Sequence, residues 1–134
     1  MPRHFTPAMA NEALDEIRPL VEELVQHRRE YQRIEAQREE LARKIAGNGG
    51  GIDAQELADL EAASEQERIG VARCVNAIHE RGAIVKSPDD GLVDFPAQRE
   101  GEEILLCWRL GEAEVAYWHP LEEGFAGRKP IEPE

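Results

Sequence analysis

Apolar residues recur every three or four positions along two long stretches of the chain, and charged residues fill the spaces between them. In the first stretch the seam runs through Ile17, Leu20, Leu24, His27, Tyr31, Ile34, Arg38, Leu41 and Ile45. In the second it runs through Leu57, Leu60, Ser64, Glu67, Val71, Cys74 and Ile78. Alternating steps of three and four are typical of helices that pack side by side, as in a coiled coil. The pattern therefore predicts two long helices.

A glycine-rich stretch at residues 47–51 separates the two predicted helices. Glycines in this arrangement favour a turn, so the helices should fold back on each other as an antiparallel hairpin over residues 19–81. Asp53 followed by Glu56 matches the capping box that begins a helix. Gly82 is expected to end the second helix, because glycine readily adopts the left-handed conformation found after helix C-termini.

The register of the hairpin follows from the position of its tip. With the tip near Gly49 and Gly50, the numbers of facing residues sum to about 101. The facing pairs expected on this basis are Ile45 with Leu57, Leu41 with Leu60, Tyr31 with Val71, and Leu24 with Ile78. Both seams become polar at matching heights, so we expect an ion pair between Arg38 and Glu67 that fixes the register.

The N-terminal residues predict a short helix ahead of the hairpin. Thr6 is a favoured capping residue and Pro7 suits the first helical turn, so this helix should span residues 7–18. Pro19 lacks an amide hydrogen and clashes with the preceding turn of a helix. We therefore expect a kink or short break there, with Pro19 beginning the long arm.

After Gly82 the pattern changes to short apolar runs bounded by turn residues. Four such runs predict strands, at residues 83–86, 92–95, 103–109 and 114–119. Pro96 should stop the second strand, and residues 130–134 are expected to fray. The predicted fold is a single α+β domain over 1–134: a coiled-coil-like antiparallel helical hairpin, a short N-terminal helix, and a small C-terminal antiparallel β-sheet over 82–128.

The chain is acidic, which argues against some classes of partner. It has 134 residues and a formal net charge of −12, and 33% of its residues are charged. Such a charge disfavours binding to nucleic-acid phosphates and to anionic membrane surfaces. The basic stretch at residues 27–33 contains Glu30 and is followed by Glu35, which is typical of a solvated helix surface. We expect neither nucleic acid nor membrane as a partner.

The cellular compartment is inferred from apolar runs and cysteines. No apolar run reaches the ~20 residues that span a bilayer, and the opening Met1–Phe5 lacks the apolar core of a signal peptide. The two cysteines, Cys74 and Cys107, fit reduced thiols better than a disulfide scaffold. We therefore expect a cytoplasmic protein.

The densest set of functional side chains lies in the C-terminal part of the chain. The candidate ligand-binding residues are Asp94, Arg109, Glu112, His119 and Arg128. A pocket formed by them would suit a small anion, because arginine pairs with carboxylate or phosphate groups, and His119 would serve as acid, base or ligand. In the alternative interpretation, Trp108 and Trp118 belong to the core. Asp94 and Arg109 then form a structural ion pair, and His119 caps an edge.

Two weaker patterns bear on metal binding. Cys107 and His119 could bind zinc together with a carboxylate, although the chain has no close-set pair such as C-x-x-C. His27 and Cys74 face each other across the arms and supply two ligands where a site needs three or four. The apolar neighbours of Cys107 indicate a buried, inert thiol rather than a nucleophile. Apart from such a metal, no cofactor is expected.

Several strings of residues resemble a known family. They are Gly91–Pro96 (GLVDFP), Leu106–Glu112 (LCWRLGE), Trp118-His119 and Gly124–Arg128 (GFAGR), with Phe5-Thr6 and Ala10-Asn11 near the start. Together they resemble the uncharacterised bacterial family named domain of unknown function 2203, over nearly the whole chain. The resemblance implies a small bacterial cytoplasmic protein, and it implies no activity.

These observations favour a non-enzymatic module for protein interaction or oligomerisation. The arms match in length, their apolar seam is narrow, and no strong catalytic motif is present. We expect a homodimer, or another helical protein as partner, with Val21, Val25, Ile69 and Val75 at the interface. The alternative is a protein or enzyme that binds a small anion or a metal ion on the C-terminal sheet.

Overall fold

Two antiparallel helices and a five-stranded sheet share one core. The computed structural model describes residues 4–48 and 54–132. Its elements are α1 (Pro7–Asn48), α2 (Ala54–Glu80), β1 (Ile84–Ser87), β2 (Leu92–Arg99), β3 (Glu102–Arg109), β4 (Tyr117–Pro120), a 3₁₀ turn (Phe125–Gly127) and β5 (Lys129–Pro130). The predicted α+β fold and helical hairpin are confirmed. The predicted tip residues 49–51 and the capping residue Asp53 lie outside the described residues.

The strands form one antiparallel sheet in the order β1-β2-β3-β4-β5. β5 was not expected as a strand, and its Lys129 pairs with Trp118 of β4. β2 also continues past Pro96, where the sequence predicted a stop. β1 pairs only with the start of β2. The missing amide hydrogen of Pro96 therefore faces the β1 side beyond the end of β1, where no neighbouring strand would accept a hydrogen bond from it. On that side the Phe5 amide donates to the Pro96 carbonyl at 2.7 Å.

The core lies between the helices and one face of the sheet. The helix residues buried there are Ala10, Leu14, Ile17, Val21, Leu24, Val25, Cys74 and Ile78. From the sheet, Val93 and Phe95 of β2 meet Leu106 and Trp108 of β3. Because successive strand residues point to opposite faces, the residues between these apolar positions lie on the outer face. Within the described residues, neither helix has a stretch long and apolar enough to cross a membrane.

The first helix runs through Pro19 without a break, which corrects the separate short helix predicted at 7–18. Pro19 cannot donate to the Asp15 carbonyl, but both residues are exposed, so water can satisfy that oxygen. On either side, Ile17 and Val21 are fully buried against the sheet. This packing on both sides of the proline holds the helix together.

One contact predicted across the middle of the hairpin, between Arg38 and Glu67, is not formed, although His27 and Cys74 face each other as predicted. Glu67 bonds His27 Nδ1 at 3.1 Å, and Arg38 pairs with Glu35 of its own helix at 2.9 Å. The structure therefore gives Arg38 and Glu67 separate partners instead of the predicted mutual ion pair. At Gly70 a Cβ would come within 2.7 Å of the His27 ring. Because residue 70 has no side chain, the ring can lie against α2, where its Nδ1 contacts Glu67.

Two of the four residues expected at a dimer interface belong to the core instead. Val21 and Val25 are 0% and 2% exposed, and Val75 packs partly against the same core. Ile69 is 47% exposed and remains on the surface. The apolar positions beside the seam therefore serve mainly to attach the hairpin to the sheet.

Alanine at Gly47 and at Gly70 should have opposite effects on stability. Gly47→Ala should raise the free energy of unfolding by about 0.5–1 kcal/mol, because alanine favours helix and nothing lies within 4 Å of the new Cβ. Gly70→Ala should lower it by about 1 kcal/mol or more, because the Cβ would collide with the His27 ring. Urea denaturation of both variants measures this difference. Equal stabilisation would contradict the close packing of His27 on Gly70.

Candidate metal centre

Three buried polar side chains meet on the outer face of the sheet, which points away from the helices. Asp94 of β2 is the register partner of Cys107 of β3. His119 of β4 pairs with Leu105, which lies on the same face as Cys107, two residues away. The exposed fractions of Asp94, Cys107 and His119 are 1%, 0% and 2%. Three adjacent strands thus contribute one side chain each.

The donor atoms of these residues, called here the sheet cluster (Asp94, Cys107 and His119), all lie within 4.8 Å of one another. His119 Nε2 lies 3.2 Å from Asp94 Oδ2, and His119 Nδ1 lies 2.9 Å from the Pro120 carbonyl oxygen. The second carboxylate oxygen, Asp94 Oδ1, is buried and has no hydrogen-bond partner among the described residues. The Cys107 thiol is also beside this carboxylate, and its hydrogen bonding opposes the rise in the pKa of Asp94.

The two contacts of His119 determine where its protons lie. The Pro120 carbonyl can only accept, so Nδ1 carries a proton and donates it. Nε2 and Asp94 Oδ2 then share one further proton, held either by an imidazolium or by a protonated carboxyl group. In both arrangements the pair has no net charge, which reduces the free-energy penalty of burying it.

Burial also controls the protonation of the other two groups. It raises the pKa of Asp94, although the adjacent His119 opposes the shift. Burial, followed by the charge of Asp94, raises the pKa of the Cys107 thiol to about 11. A cysteine nucleophile needs a lowered pKa and access to solvent. Both nitrogens of His119 are already engaged, so the sheet cluster is not arranged as a Cys–His–Asp nucleophilic triad.

Arg128 attaches the C-terminal segment to this face of the sheet. Its guanidinium lies 4.0 Å from the centre of the Tyr117 ring and 4.1 Å from that of Phe125. Two of its nitrogens bond the Glu112 carboxylate, at 3.0 and 2.8 Å. Hydrogen bonding to Arg128 opposes the rise in the pKa of Cys107, which places the guanidinium beside the thiol. Arg128 therefore borders the sheet cluster without carrying a free charge.

Glu112 connects this segment to the rest of the fold. Its Oε1 accepts the Arg109 backbone amide at 2.8 Å. Its backbone carbonyl accepts the Trp108 indole at 3.1 Å and the Arg18 guanidinium of α1 at 3.2 Å. One residue thereby links β3, the first helix and the C-terminal segment.

The five predicted ligand-binding residues separate into three groups. Asp94 and His119 form the buried pair, while Glu112 and Arg128 form the ion pair at its border. Arg109 follows Cys107 by two residues at the exposed end of β3, where its guanidinium lies 3.7 Å from Asp90 and 5.6 Å from the centre of the Phe125 ring. The alternative Asp94–Arg109 ion pair is therefore wrong, because each residue has another partner. His119 does not cap an exposed edge, since it is buried.

The fold brings together the residues of the predicted Cys107–His119 metal pattern. Cys107 and His119 meet a carboxylate, as that pattern required, and the carboxylate belongs to Asp94. The sequence contained a signal for this combination. Asp94 stands between Val93 and Phe95, so a charged residue interrupts an apolar run on the strand that precedes Cys107.

Arg128→Lys should lower the free energy of unfolding by about 1–3 kcal/mol, because lysine loses both the two-point contact with Glu112 and the stacking on two rings. The matched control is Arg99→Lys, which affects an exposed arginine stacked on Trp118 at 4.7 Å. The control should change stability by less than about 0.5 kcal/mol. Thermal and urea denaturation measure both. An equally small effect of both variants would contradict the anchoring role of Arg128.

Comparison with known proteins places the chain in a family without assigning an activity. No curated protein and no solved structure matches it. The family model described as "Uncharacterized conserved protein (DUF2203)" matches residues 3–131. That match includes both helices and all five strands, and the chain belongs to the DUF2203 family.

Proposed function

We propose that this chain is a metal-binding protein and that the sheet cluster holds one divalent d-block ion, with Zn²⁺ fitting best. The observation that carries the proposal is the convergence of three buried metal-ligating side chains, Asp94, Cys107 and His119, whose donor atoms lie within 4.8 Å of one another. In addition, Asp94 Oδ1 is buried and has no hydrogen-bond partner among the described residues, which is destabilising for a polar atom.

The donor set favours zinc over the harder cations. Calcium and magnesium prefer oxygen ligands, whereas thiolate and imidazole together favour Zn²⁺ and similar ions. In a tetrahedral zinc site the nitrogen and oxygen ligands lie about 3.3 Å apart. His119 Nε2 and Asp94 Oδ2 are 3.2 Å apart, so an ion can replace their shared proton with little movement of either side chain.

The histidine is already oriented as a metal ligand. Its Nδ1 donates to the Pro120 carbonyl at 2.9 Å, which fixes the ring and leaves Nε2 directed toward the cluster. Metal-bound histidines commonly have this second hydrogen bond to a carbonyl or carboxylate group. Because three strands each supply one ligand and all three are buried, the bound ion supports a structural role that ties β2, β3 and β4 together.

Uptake of the ion requires the loss of two protons. One is the proton shared by His119 and Asp94, and the other is the thiol proton of Cys107. The carboxylate and the thiolate then supply two negative charges that balance the divalent ion. His119 keeps its Nδ1 proton on the Pro120 carbonyl. No oxidation or reduction takes place.

Asp94→Asn and Cys107→Ser should each bind one Zn²⁺ ion fewer per chain than the wild type, because each removes a ligand from the sheet cluster. The matched control, Asp90→Asn, removes an exposed carboxylate nearby and should leave the uptake unchanged. The measurement is native mass spectrometry of chelator-stripped protein after Zn²⁺ addition. Calorimetry in buffers of different ionisation enthalpy should show about two protons released for this ion.

Unchanged uptake in both variants, or no uptake by the wild type, would contradict the metal proposal. The amide introduced by Asp94→Asn can still donate to His119 Nε2, so this variant should keep the fold. Circular dichroism of the stripped variants separates loss of the ligand from loss of the structure.

A second candidate function is self-association through the arms. The helix residues of the common core end at Val25 on α1 and begin at Cys74 on α2. Farther along the described part of the hairpin, the buried apolar residues are Ile34 and Leu41. Two helices joined by so narrow a seam gain stability from an additional helical layer. A second copy of the chain is the simplest source of that layer, and Ile69 offers it an apolar contact.

Ile69→Glu should shift a dimer toward monomer by at least tenfold in dissociation constant if the second copy packs on this surface. The matched control is Leu121→Glu, which changes another exposed apolar residue away from the arms. Sedimentation velocity at several protein concentrations measures the association. A wild type that stays monomeric throughout, or a dimer that both substitutions weaken equally, would argue against association through the arms.

A further inference from the structure

A second group of donor atoms lies between the two antiparallel helices, near the sheet. Glu23 and His27 are four residues apart on α1 and therefore share a face, and Cys74 faces them from α2. The donor atoms of Glu23, His27 and Cys74, called here the waist cluster, all lie within 4.8 Å of one another. Cys74 Sγ donates to Glu23 Oε2 at 3.4 Å, and His27 Nε2 lies 3.6 Å from Glu23 Oε1.

The His27 ring is fixed by contacts on its other side. Its Nδ1 lies 3.2 and 3.1 Å from the two carboxylate oxygens of Glu67. A carboxylate accepts, so Nδ1 carries a proton and donates it to Glu67. Nε2 is buried and has no hydrogen-bond partner among the described residues. Nε2 faces Glu23, whose Oε1 lies 3.6 Å away, and it is the ring nitrogen directed toward the other two donors.

Gly70 makes this ring position possible. A Cβ at residue 70 would lie 2.7–2.8 Å from three atoms of the His27 ring, closer than a real Cβ packs. Glycine inside a helix is destabilising relative to alanine. A side chain at residue 70 would push the imidazole away from the other donors, so a glycine at this position keeps the ring in place despite its cost to the helix.

We propose that the waist cluster is a second metal site, in which Glu23, His27 Nε2 and Cys74 bind a divalent d-block ion such as Zn²⁺ and Glu67 holds the imidazole from behind. A histidine that donates its other nitrogen to a carboxylate is a recurrent arrangement in zinc sites. Sulfur, nitrogen and oxygen donors together favour zinc over calcium or magnesium.

The waist site differs from the sheet site in its access to solvent. The Glu23 side chain is 46% exposed and that of His27 is 23% exposed, although Cys74 is buried. A fourth ligand, such as water, can therefore reach the ion, and the ion can exchange. Arg73 competes for the Glu23 carboxylate at 3.3 Å, but its side chain is 65% exposed and free to swing into solvent.

Binding at the waist would join the two helices. The metal–sulfur bond replaces the S–H bond of Cys74, whose proton passes to the solvent, and no electron is transferred. Two ligands come from α1 and one from α2, so the ion fixes the arms relative to each other. The expected readout is slower hydrogen–deuterium exchange in both helices around this site when the ion is present.

The test isolates the waist site by removing a ligand from the sheet cluster. A Cys107→Ser chain, stripped of metal and given Co²⁺, should bind one ion and show thiolate-to-cobalt absorption, because Cys74 is then the only thiol in the sequence. Adding Cys74→Ser or His27→Gln should abolish both signals. Adding Glu22→Gln, which removes a neighbouring exposed carboxylate, should leave both unchanged.

Absence of thiolate-to-cobalt absorption in the folded Cys107→Ser chain would overturn the waist site, and so would Co²⁺ uptake that survives the added Cys74→Ser. If Cys107→Ser does not fold, the single variant Cys74→Ser decides by native mass spectrometry. A loss of one ion per chain supports the waist site, and unchanged uptake overturns it. A wild type that binds one ion and loses it with Cys74→Ser would support the waist site while contradicting the sheet site.

Discussion

The structure depends on a sheet in which two adjacent strands, β2 and β3, have buried residues on both faces. On the inner face, Phe95 and Trp108 pack against the helices and supply the common core. On the outer face, opposite the residues that pack against the helices, Asp94 and Cys107 are buried too. Alternation along a strand fixes this division, because a shift of one residue would exchange the two faces. The helical packing and the polar cluster therefore follow from a single register between β2 and β3.

Burying polar groups on the outer face is tolerated only because they are largely paired. Asp94 and His119 share a proton and stay neutral as a pair, which avoids the large penalty of an isolated buried charge. At the border, Arg128 is neutralised by Glu112 and held between two aromatic rings. This pairing leaves one oxygen, Asp94 Oδ1, without a hydrogen-bond partner among the described residues.

The sequence predicted the features that follow from local periodicity. The helices, the hairpin, and β2 and β3 have clear spacing, and the structure contains them. It mispredicted features that depend on distant contacts. Pro19 stays helical because packing against the sheet overrides its local preference. Likewise, Glu67 pairs with His27 rather than with Arg38, and Gly70 on the same helix leaves room for the His27 ring. The chemistry of Asp94, Cys107 and His119 is evident from the sequence, but their proximity follows only from the pairing of β2, β3 and β4.

An unsatisfied buried atom is not by itself evidence for a ligand, and Arg81 shows why. Its Nε lacks a hydrogen-bond partner among the described residues, as do Asp94 Oδ1 and His27 Nε2. The Arg81 side chain is 38% exposed, lies 3.6 Å from Glu16, and donates through Nη1 to the Ala77 carbonyl. Moreover, a guanidinium is a donor and cannot bind a cation. Asp94 and His27 instead each belong to a group of three metal-ligating side chains whose donor atoms lie within 4.8 Å of one another. A metal ion can be bound by all three side chains of each cluster at once, and that convergence distinguishes these two clusters from Arg81.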